Sequence, residues 1–285
     1  MTGAANWERL IGDVDFGEGP RWHDGRLWYS DFYQATIWSV GEDGKRRAEF
    51  AGLPDRPSGL GWMPDGTLLA VFMTSRRLMR DDGNGTLVEH ADLSGVAAWH
   101  CNDMVVDARG NAYVGNFGFD LEGASSFRPA DLALVRPDGT VEVAATELRF
   151  PNGSVITPDG STLIVGESFG GDYVAFTIAD DATLHDRRIW AEIPDTAPDG
   201  CVLDAAGGIW FADARGSMVL RVEEGGRVTH RLDTPQPVYA CMLGGADGRS
   251  LFALCSPGSH PDETAGKGLG EIVVTRVDHP RAGLP

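Results

Sequence analysis

The feature that most constrains this chain is a repeated strand–turn–strand unit. Its clearest copy runs from Phe150 through Pro151-Asn152-Gly153, a short apolar strand at Val155-Ile156, the turn Thr157-Pro158-Asp159-Gly160, and a second apolar strand at Leu163-Ile164-Val165. An Asp-Gly turn between apolar runs is a strong hairpin signal. The turn recurs at Asp24-Gly25, Asp65-Gly66, Arg109-Gly110, Asp159-Gly160, Ala206-Gly207 and Asp247-Gly248, with spacings of 41, 44, 50, 47 and 41 residues. Each turn has an apolar strand on both sides, for example Met104-Val105-Val106 and Ala112-Tyr113-Val114, or Val202-Leu203 and Ile209-Trp210-Phe211. A third, alternating strand follows, as in Thr36–Val40, Leu132–Val135, Tyr173–Phe176 and Val219–Val222, and a fourth completes the unit. A period of about 40–50 residues with four strands per repeat is the pattern of propeller blades. No segment keeps apolar residues at helical spacing over three turns. The expected fold is therefore all-β: one six-bladed β-propeller domain, with four-stranded blades around a central channel. Trp7 to Val14 and Glu271 to Val277 are expected to pair in one blade and close the ring, which removes exposed sheet edges. The tail after Asp278 reads as loose, and residues 256–270 as a Gly/Pro-rich loop over one rim.

Charge narrows the partners. Lys and Arg number 24 against 42 Asp and Glu, a net charge of −18 that repels phosphate backbones. Nucleic acid is excluded as a partner on that ground. No apolar run approaches the roughly 18 residues of a membrane helix, and no basic stretch followed by an apolar run opens the chain. The reading expects a cytoplasmic protein, monomeric or a small homo-oligomer, with no membrane partner. The cysteines Cys101, Cys201, Cys241 and Cys255 show neither CxxC nor zinc spacing. They are expected to be free thiols packed as small apolar groups.

In a propeller the innermost strand of each blade runs along the channel. Counting seven residues back from the first turn residue gives Ser58, Asn102, Asn152, Asp199 and Ala240; six back in the first blade gives Glu18. The repeat thus brings Glu18, Asn102, Asn152 and Asp199 to one end of the channel. Asp and Asn are turn formers wherever they occur, so it is the matched register of the four that points to a site. Two carboxylates crowded together repel unless a cation lies between them. Two carboxylates with an Asn carbonyl are hard oxygen donors suited to Ca²⁺, Mg²⁺ or Mn²⁺. The lack of His and Cys argues against a closed structural zinc site.

Four pieces in this order, Gly17-Glu18-Gly19-Pro20-Arg21-Trp22, Asn102-Asp103-Met104-Val105-Val106-Asp107, Phe150-Pro151-Asn152-Gly153 and Ala197-Pro198-Asp199-Gly200, resemble the senescence marker protein/gluconolactonase/luciferin-regenerating enzyme family. The likeness extends over about residues 12 to 256. It implies a six-bladed propeller with one catalytic divalent cation, Ca²⁺ first and Zn²⁺, Mg²⁺ or Mn²⁺ as alternatives. Glu18, Asn152 and Asp199 match the family's metal ligands, and Asn102 matches a residue of the substrate pocket. The implied activity is hydrolysis of a lactone, a sugar lactone or a less hydroxylated cyclic ester, by water that the cation activates. Asn102 would help stabilise the oxyanion and Asp199 would steer the water or accept its proton. A carboxylate bound to a cation is a weak base, which makes His100 the other candidate acid–base; its alternative role is a hydrogen-bonding wall of the pocket. Sugar lactonases of the family commonly carry an Arg two residues before the pocket Asn, where this chain has His100. His lacks the guanidinium fork, and Trp99, Phe117 and Phe119 lie nearby, with Phe117 a candidate substrate contact. These point to a substrate less hydroxylated than gluconolactone. Glu167 either faces the channel or ends a strand. The other functions in play are a propeller hydrolase acting on another ester or phosphotriester and a non-catalytic binding propeller.

Overall fold

A computed structural model of the chain describes residues 5–121, 123 and 125–285. Six antiparallel four-stranded sheets form a ring, a six-bladed β-propeller. The first strand, β1 (Glu8–Val14), belongs to the last blade. Blade 1 holds β2 (Gly17–His23), β3 (Arg26–Asp31), β4 (Thr36–Val40) and β5 (Arg46–Phe50). Blade 2 holds β6 (Pro57–Trp62), β7 (Leu68–Phe72), β8 (Arg77–Asp81) and β9 (Leu87–Asp92). Blade 3 holds β10 (Cys101–Val106), β11 (Ala112–Asn116), β12 (Ala130–Val135) and β13 (Val141–Leu148). Blade 4 holds β14 (Pro151–Ile156), β15 (Thr162–Glu167), β16 (Asp172–Ile178) and β17 (Leu184–Glu192). Blade 5 holds β18 (Pro198–Leu203), β19 (Ile209–Asp213), β20 (Met218–Glu223) and β21 (Arg227–Asp233). Blade 6 holds β22 (Val238–Gly244), β23 (Ser250–Cys255) and β24 (Gly270–Arg276), with β1 as its outermost strand.

The expected closure is present: β1 pairs antiparallel with β24, Glu8 opposite Val274 and Arg9 opposite Val273. Each innermost strand packs against the next around the ring, and β2 meets β22. Because each blade is covered on both faces, its inner strands lose the in–out alternation of a half-exposed sheet. Every residue of β10, β14 and β18 is buried, whereas outer strands such as β5 and β13 are part exposed. Among the described residues the one α-helix is a single turn, α1 (Pro261–Thr264), and no helix is long and apolar enough to cross a membrane. All four cysteines are buried free thiols, and burial pushes Cys101, Cys201 and Cys255 up to about 12.

The tail departs from expectation. Instead of hanging loose it crosses the channel end where the innermost strands finish. Arg281 N–H donates to the Gly248 carbonyl (2.9 Å), Ala205 N–H to Pro280 (2.8 Å), and Ala282 N–H to Leu203 (2.9 Å). Ile156 and Leu284 exchange both backbone bonds, at 2.8 and 2.9 Å. The unpaired backbone groups at the ends of β14 and β18 supply the reason, since buried N–H and C=O groups require partners.

Candidate active site

Each innermost strand carries a register break at the same level. The breaks span Glu18–Arg21, Pro57–Leu60, Cys101–Met104, Pro151–Ser154, Pro198–Cys201 and Val238–Ala240. A bulge bends the strand and re-aims its side chains, and here it lies at the positions found by counting back from the turns. Glycine follows four of them, and the bulged backbones come very close together. A Cβ on Gly59 would lie 2.6 Å from Met104 N, and one on Gly153 would lie 2.7 Å from Cys201 N.

Glu18, Asn102, Asn152 and Asp199 all line one cavity of about 470 Å³ at the channel end opposite the tail. All four are buried. Glu18 Oε2 accepts from Gly19 N–H (3.1 Å). Asn152 Nδ2 donates to Ser168 Oγ (3.1 Å), whose hydroxyl donates in turn to the Pro198 carbonyl (2.6 Å). Three atoms of this floor have no partner among the described residues: Asn102 Nδ2, Asn152 Oδ1 and Asp199 Oδ1. Burial, with the nearby Asp199 and Asp103 carboxylates, holds Glu18 well above the usual carboxylate range. Burial first, then Asp103, pushes Asp199 up to about 8, against the lowering effect of Gly200 N–H and the Asn152 side chain. Excess negative charge in a dry pocket is what raises these groups.

The third carboxylate, Asp103, has its own cation. Arg21 Nη2 donates to Asp103 Oδ1 (2.6 Å) and to the Met104 carbonyl (2.6 Å), while its Nε reaches the Leu60 carbonyl (2.9 Å). One buried guanidinium thus ties blades 1, 2 and 3 together beneath the site. Glu18 and Asp199 remain as carboxylates without a cationic partner in the contacts described. Among the described residues no three His, Cys, Asp or Glu side chains form a metal-binding group. A cation here would therefore draw on a carboxamide. The unpartnered oxygens of Asn152 and Asp199, beside Glu18, fit a hard divalent ion.

Phe117 lines the cavity; His100 is not among its lining residues. The His100 ring stacks on Trp99 (centroids 4.9 Å apart) and lies 5.9 Å from the Phe117 ring, and its carbonyl accepts from Phe117 N–H (2.9 Å). Glu167 is fully buried but does not line the cavity. It ends β15 and accepts from Arg149 N–H (2.7 Å), Arg149 Nη2 (3.0 Å) and Arg187 Nη2 (3.2 Å). Asp31 and Asp213 end β3 and β19 in the same way, accepting from Phe16 N–H (3.2 Å) and Ala197 N–H (2.9 Å). These three acids are struts for the loops above the floor.

Sequence reasoning missed most of the wall. Phe16, Arg56, Phe150 and Ala197 stand two residues before a counted position and line the cavity. A second set, Phe32, Met73, Phe117, Ser168 and Ala214, immediately follows the second strand of blades 1 to 5 and also lines it. One backbone bond joins the sets in each of blades 1, 2, 4 and 5, for example Phe32 N–H to Phe16 (3.1 Å) and Ser168 N–H to Phe150 (3.1 Å). The period-2 rule for strands, applied from Glu18 and Asn152, would have found Phe16 and Phe150. Residues 256–270 form part of the rim: Ser259 and His260 line the mouth, and Tyr33 donates to the Ser259 carbonyl (2.6 Å). Asp15 anchors the loop by accepting from Gly266 N–H (2.7 Å) and Gly268 N–H (2.8 Å).

Comparison with known proteins gives the same architecture. Residues 16–256 match the family model described as SMP-30/Gluconolactonase/LRE-like region. The chain is 28% identical to pentonolactonase XacC of Haloferax volcanii, over 94% of this chain and 92% of that protein. It is 26% identical to the L-arabinolactonase of Azospirillum brasilense, over 92% of this chain and 89% of that one. Among solved structures, a luciferin-regenerating enzyme superposes with a TM-score of 0.82 at 17% identity, covering 98% of both chains, and shares the fold.

Proposed function

Because the chain belongs to the SMP-30/gluconolactonase/LRE-like family, we propose that it is a lactonase, opening a cyclic ester over the floor formed by Glu18, Asn102, Asn152 and Asp199. The observation that carries this reading is the set of buried polar atoms left unpartnered there, a donor on Asn102 and acceptors on Asn152 and Asp199. Buried polar groups in folded proteins are nearly always paired, so several unpaired ones at one point of a cavity mark a place kept for a ligand. The names of the two lactonase relatives support a cyclic ester as that ligand.

Glu18, Asn152 and Asp199 would hold one divalent cation, with Ca²⁺ favoured by the all-oxygen donor set and Mg²⁺, Mn²⁺ or Zn²⁺ as alternatives. Bound there, it would polarise the ester carbonyl and acidify the attacking water. Asn102 Nδ2 donates to the acyl oxygen as negative charge develops on it. Asp199 accepts a hydrogen bond from the water, orients it towards the carbonyl carbon and takes its proton. The new bond is between water oxygen and acyl carbon; the bond broken joins that carbon to the ring oxygen. The ring oxygen leaves as an alcohol once the proton reaches it, and the product is a hydroxy acid. His100, outside the cavity lining, is assigned to supporting the Phe117 ring from behind.

The test is to strip divalent ions with a chelator, restore Ca²⁺, Mg²⁺, Mn²⁺ or Zn²⁺ singly, and follow melting temperature and acid release from a lactone panel. One ion is expected to raise the melting temperature and to be required for opening. No stabilising ion together with no lactone opened overturns the reading. In Asp199→Asn, turnover is expected to fall by about 100-fold or more. Near-normal turnover would remove Asp199 from the chemistry.

A further inference from the structure

The floor and the wall of the cavity differ in kind. Among the described residues, the buried side-chain atoms lining it that lack a protein partner all belong to floor residues: Asn102, Asn152 and Asp199. The two acceptors, Asn152 Oδ1 and Asp199 Oδ1, are those assigned to the cation, which leaves the Asn102 Nδ2 donor for one polar head, the ester group itself. Above the floor, two of the lining hydroxyls are already committed within the protein. Ser168 donates to the Pro198 carbonyl (2.6 Å) and accepts from Asn152 (3.1 Å), and the Tyr33 hydroxyl donates to the Ser259 carbonyl (2.6 Å). The remaining polar lining groups include Arg215, Ser259 and His260, which are exposed at the mouth, the half-buried Tyr239, whose hydroxyl lies beside Ser259, and Arg56, which stacks over the Tyr33 ring at 5.2 Å.

Carbon covers one side continuously from floor to rim. Phe117 stacks on Phe150 with centroids 4.6 Å apart, and Phe150 meets Phe169 at 5.1 Å. Phe169 continues to Phe127 at 5.7 Å, and these two rings are 46% and 44% exposed. Leu121, 44% exposed, lines the same mouth. Of the six exposed large apolar side chains among the described residues, three therefore gather at this opening. Exposed apolar surface concentrated beside a cavity marks a binding surface. A polyhydroxylated substrate would bring its hydroxyls against these rings, where they lose water and gain no partner.

We propose that the substrate is a lactone bearing an aryl or branched alkyl group on its ring, and that this group seats against Phe117, Phe150 and Phe169. The proposal rests on the lactonase reading for the identity of the polar head, and on the wall alone for the substituent.

The test uses the full chain with saturating Ca²⁺ and three five-membered lactones: γ-phenyl-γ-butyrolactone, unsubstituted γ-butyrolactone and a pentono-1,4-lactone. The expected result is a kcat/KM for the phenyl compound at least about tenfold above each of the others, from burial of the ring. Phe169→Ala is expected to reduce that advantage by about tenfold, and Phe169→Leu to restore part of it. Equal or higher kcat/KM on the pentonolactone, or a Phe169→Ala loss equal for all three, overturns the proposal. Calorimetry with the matching lactams, which are not hydrolysed, separates the two readings. If no lactone is opened but the phenyl lactam binds at least about tenfold more tightly than the unsubstituted one, the apolar subsite stands and the lactonase reading falls. Absence of both turnover and that binding preference sinks the substituent as well.

Discussion

Single residues in this molecule are set by the ring around them, and the acids show it best. Glu167 and Asp172 lie side by side in blade 4, both buried, and share Arg149. Asp172 Oδ1 has no partner among the described residues. Burial first, then the Glu167 charge, pushes Asp172 up to about 6. A carboxyl whose folded pKa is raised contributes stability below its unfolded pKa, and that contribution is lost as pH rises through the folded value. Asp172→Asn keeps an acceptor for Arg149 and turns a donor towards Glu167. Its melting temperature is expected to exceed that of the wild type at pH 8 by about 2–4 °C, with the gain shrinking from pH 6 towards pH 4. A constant difference across that range would mean that the Asp172 charge is not the cause. None of this was legible in the sequence, where Glu167 read as a strand end or a channel residue with nothing to show its partners. Glu18, Asn102, Asn152 and Asp199 were legible because a repeat fixes their register against a turn. Of the aromatic wall only Phe117 was read, because Phe32 and Phe169 follow strand ends, and pairing decides where a strand stops.

Elements are placed by the bulges, which let six strands crowd one axis while turning their side chains into it. The crowding depends on glycine. A Cβ on Gly153 falls on the Asp199 carbonyl oxygen and lies 2.7 Å from Cys201 N, so both clashes are with backbone of the neighbouring blade. Gly160, in the turn of the same hairpin, has φ of +72°, and a Cβ there would meet nothing within 4 Å. The two glycines thus separate close approach from backbone conformation. Gly153→Ala is expected to cost about 3 kcal/mol by overpacking and to weaken cation binding, since it pushes Asn152 away from Asp199. Gly160→Ala costs about 1 kcal/mol through the left-handed conformation alone and leaves cation affinity as it was. Chemical denaturation and a calorimetric titration of each variant check the pair. Equal losses in both would show that the inner strands have room to move. The hairpins were readable from their Asp-Gly turns; the bulges were not, because they answer to neighbouring blades.

At the scale of the whole molecule, two different closures hold the ring. One is the pairing of β1 with β24 inside blade 6, which terminal strands with the right alternation made predictable. The other is the tail, which composition alone misread. A Pro- and Gly-containing segment has little propensity of its own, but five backbone hydrogen bonds join it to Leu203, Ala205, Gly248 and Ile156. Those acceptors and donors sit on blades 4, 5 and 6, so the tail acts between blades, where each blade's own sheet contributes nothing. Leu284 also packs against the cluster that includes Val105 and Ile156. Arg281 adds a bond from Nη1 to the Trp22 carbonyl (3.2 Å), which reaches blade 1. Deleting residues 279–285 is expected to cost about 2–4 kcal/mol, from backbone bonds of about 1 kcal/mol each less the entropy of ordering the tail. Because these contacts lie at the channel end away from Glu18 and Asp199, the truncated protein should bind its cation with unchanged affinity when assayed well below its melting temperature. A truncation that leaves the melting temperature unmoved would show the tail to be a passenger. A loss of cation affinity in step with the loss of stability would show instead that the far end of the channel sets the spacing of the ligand strands.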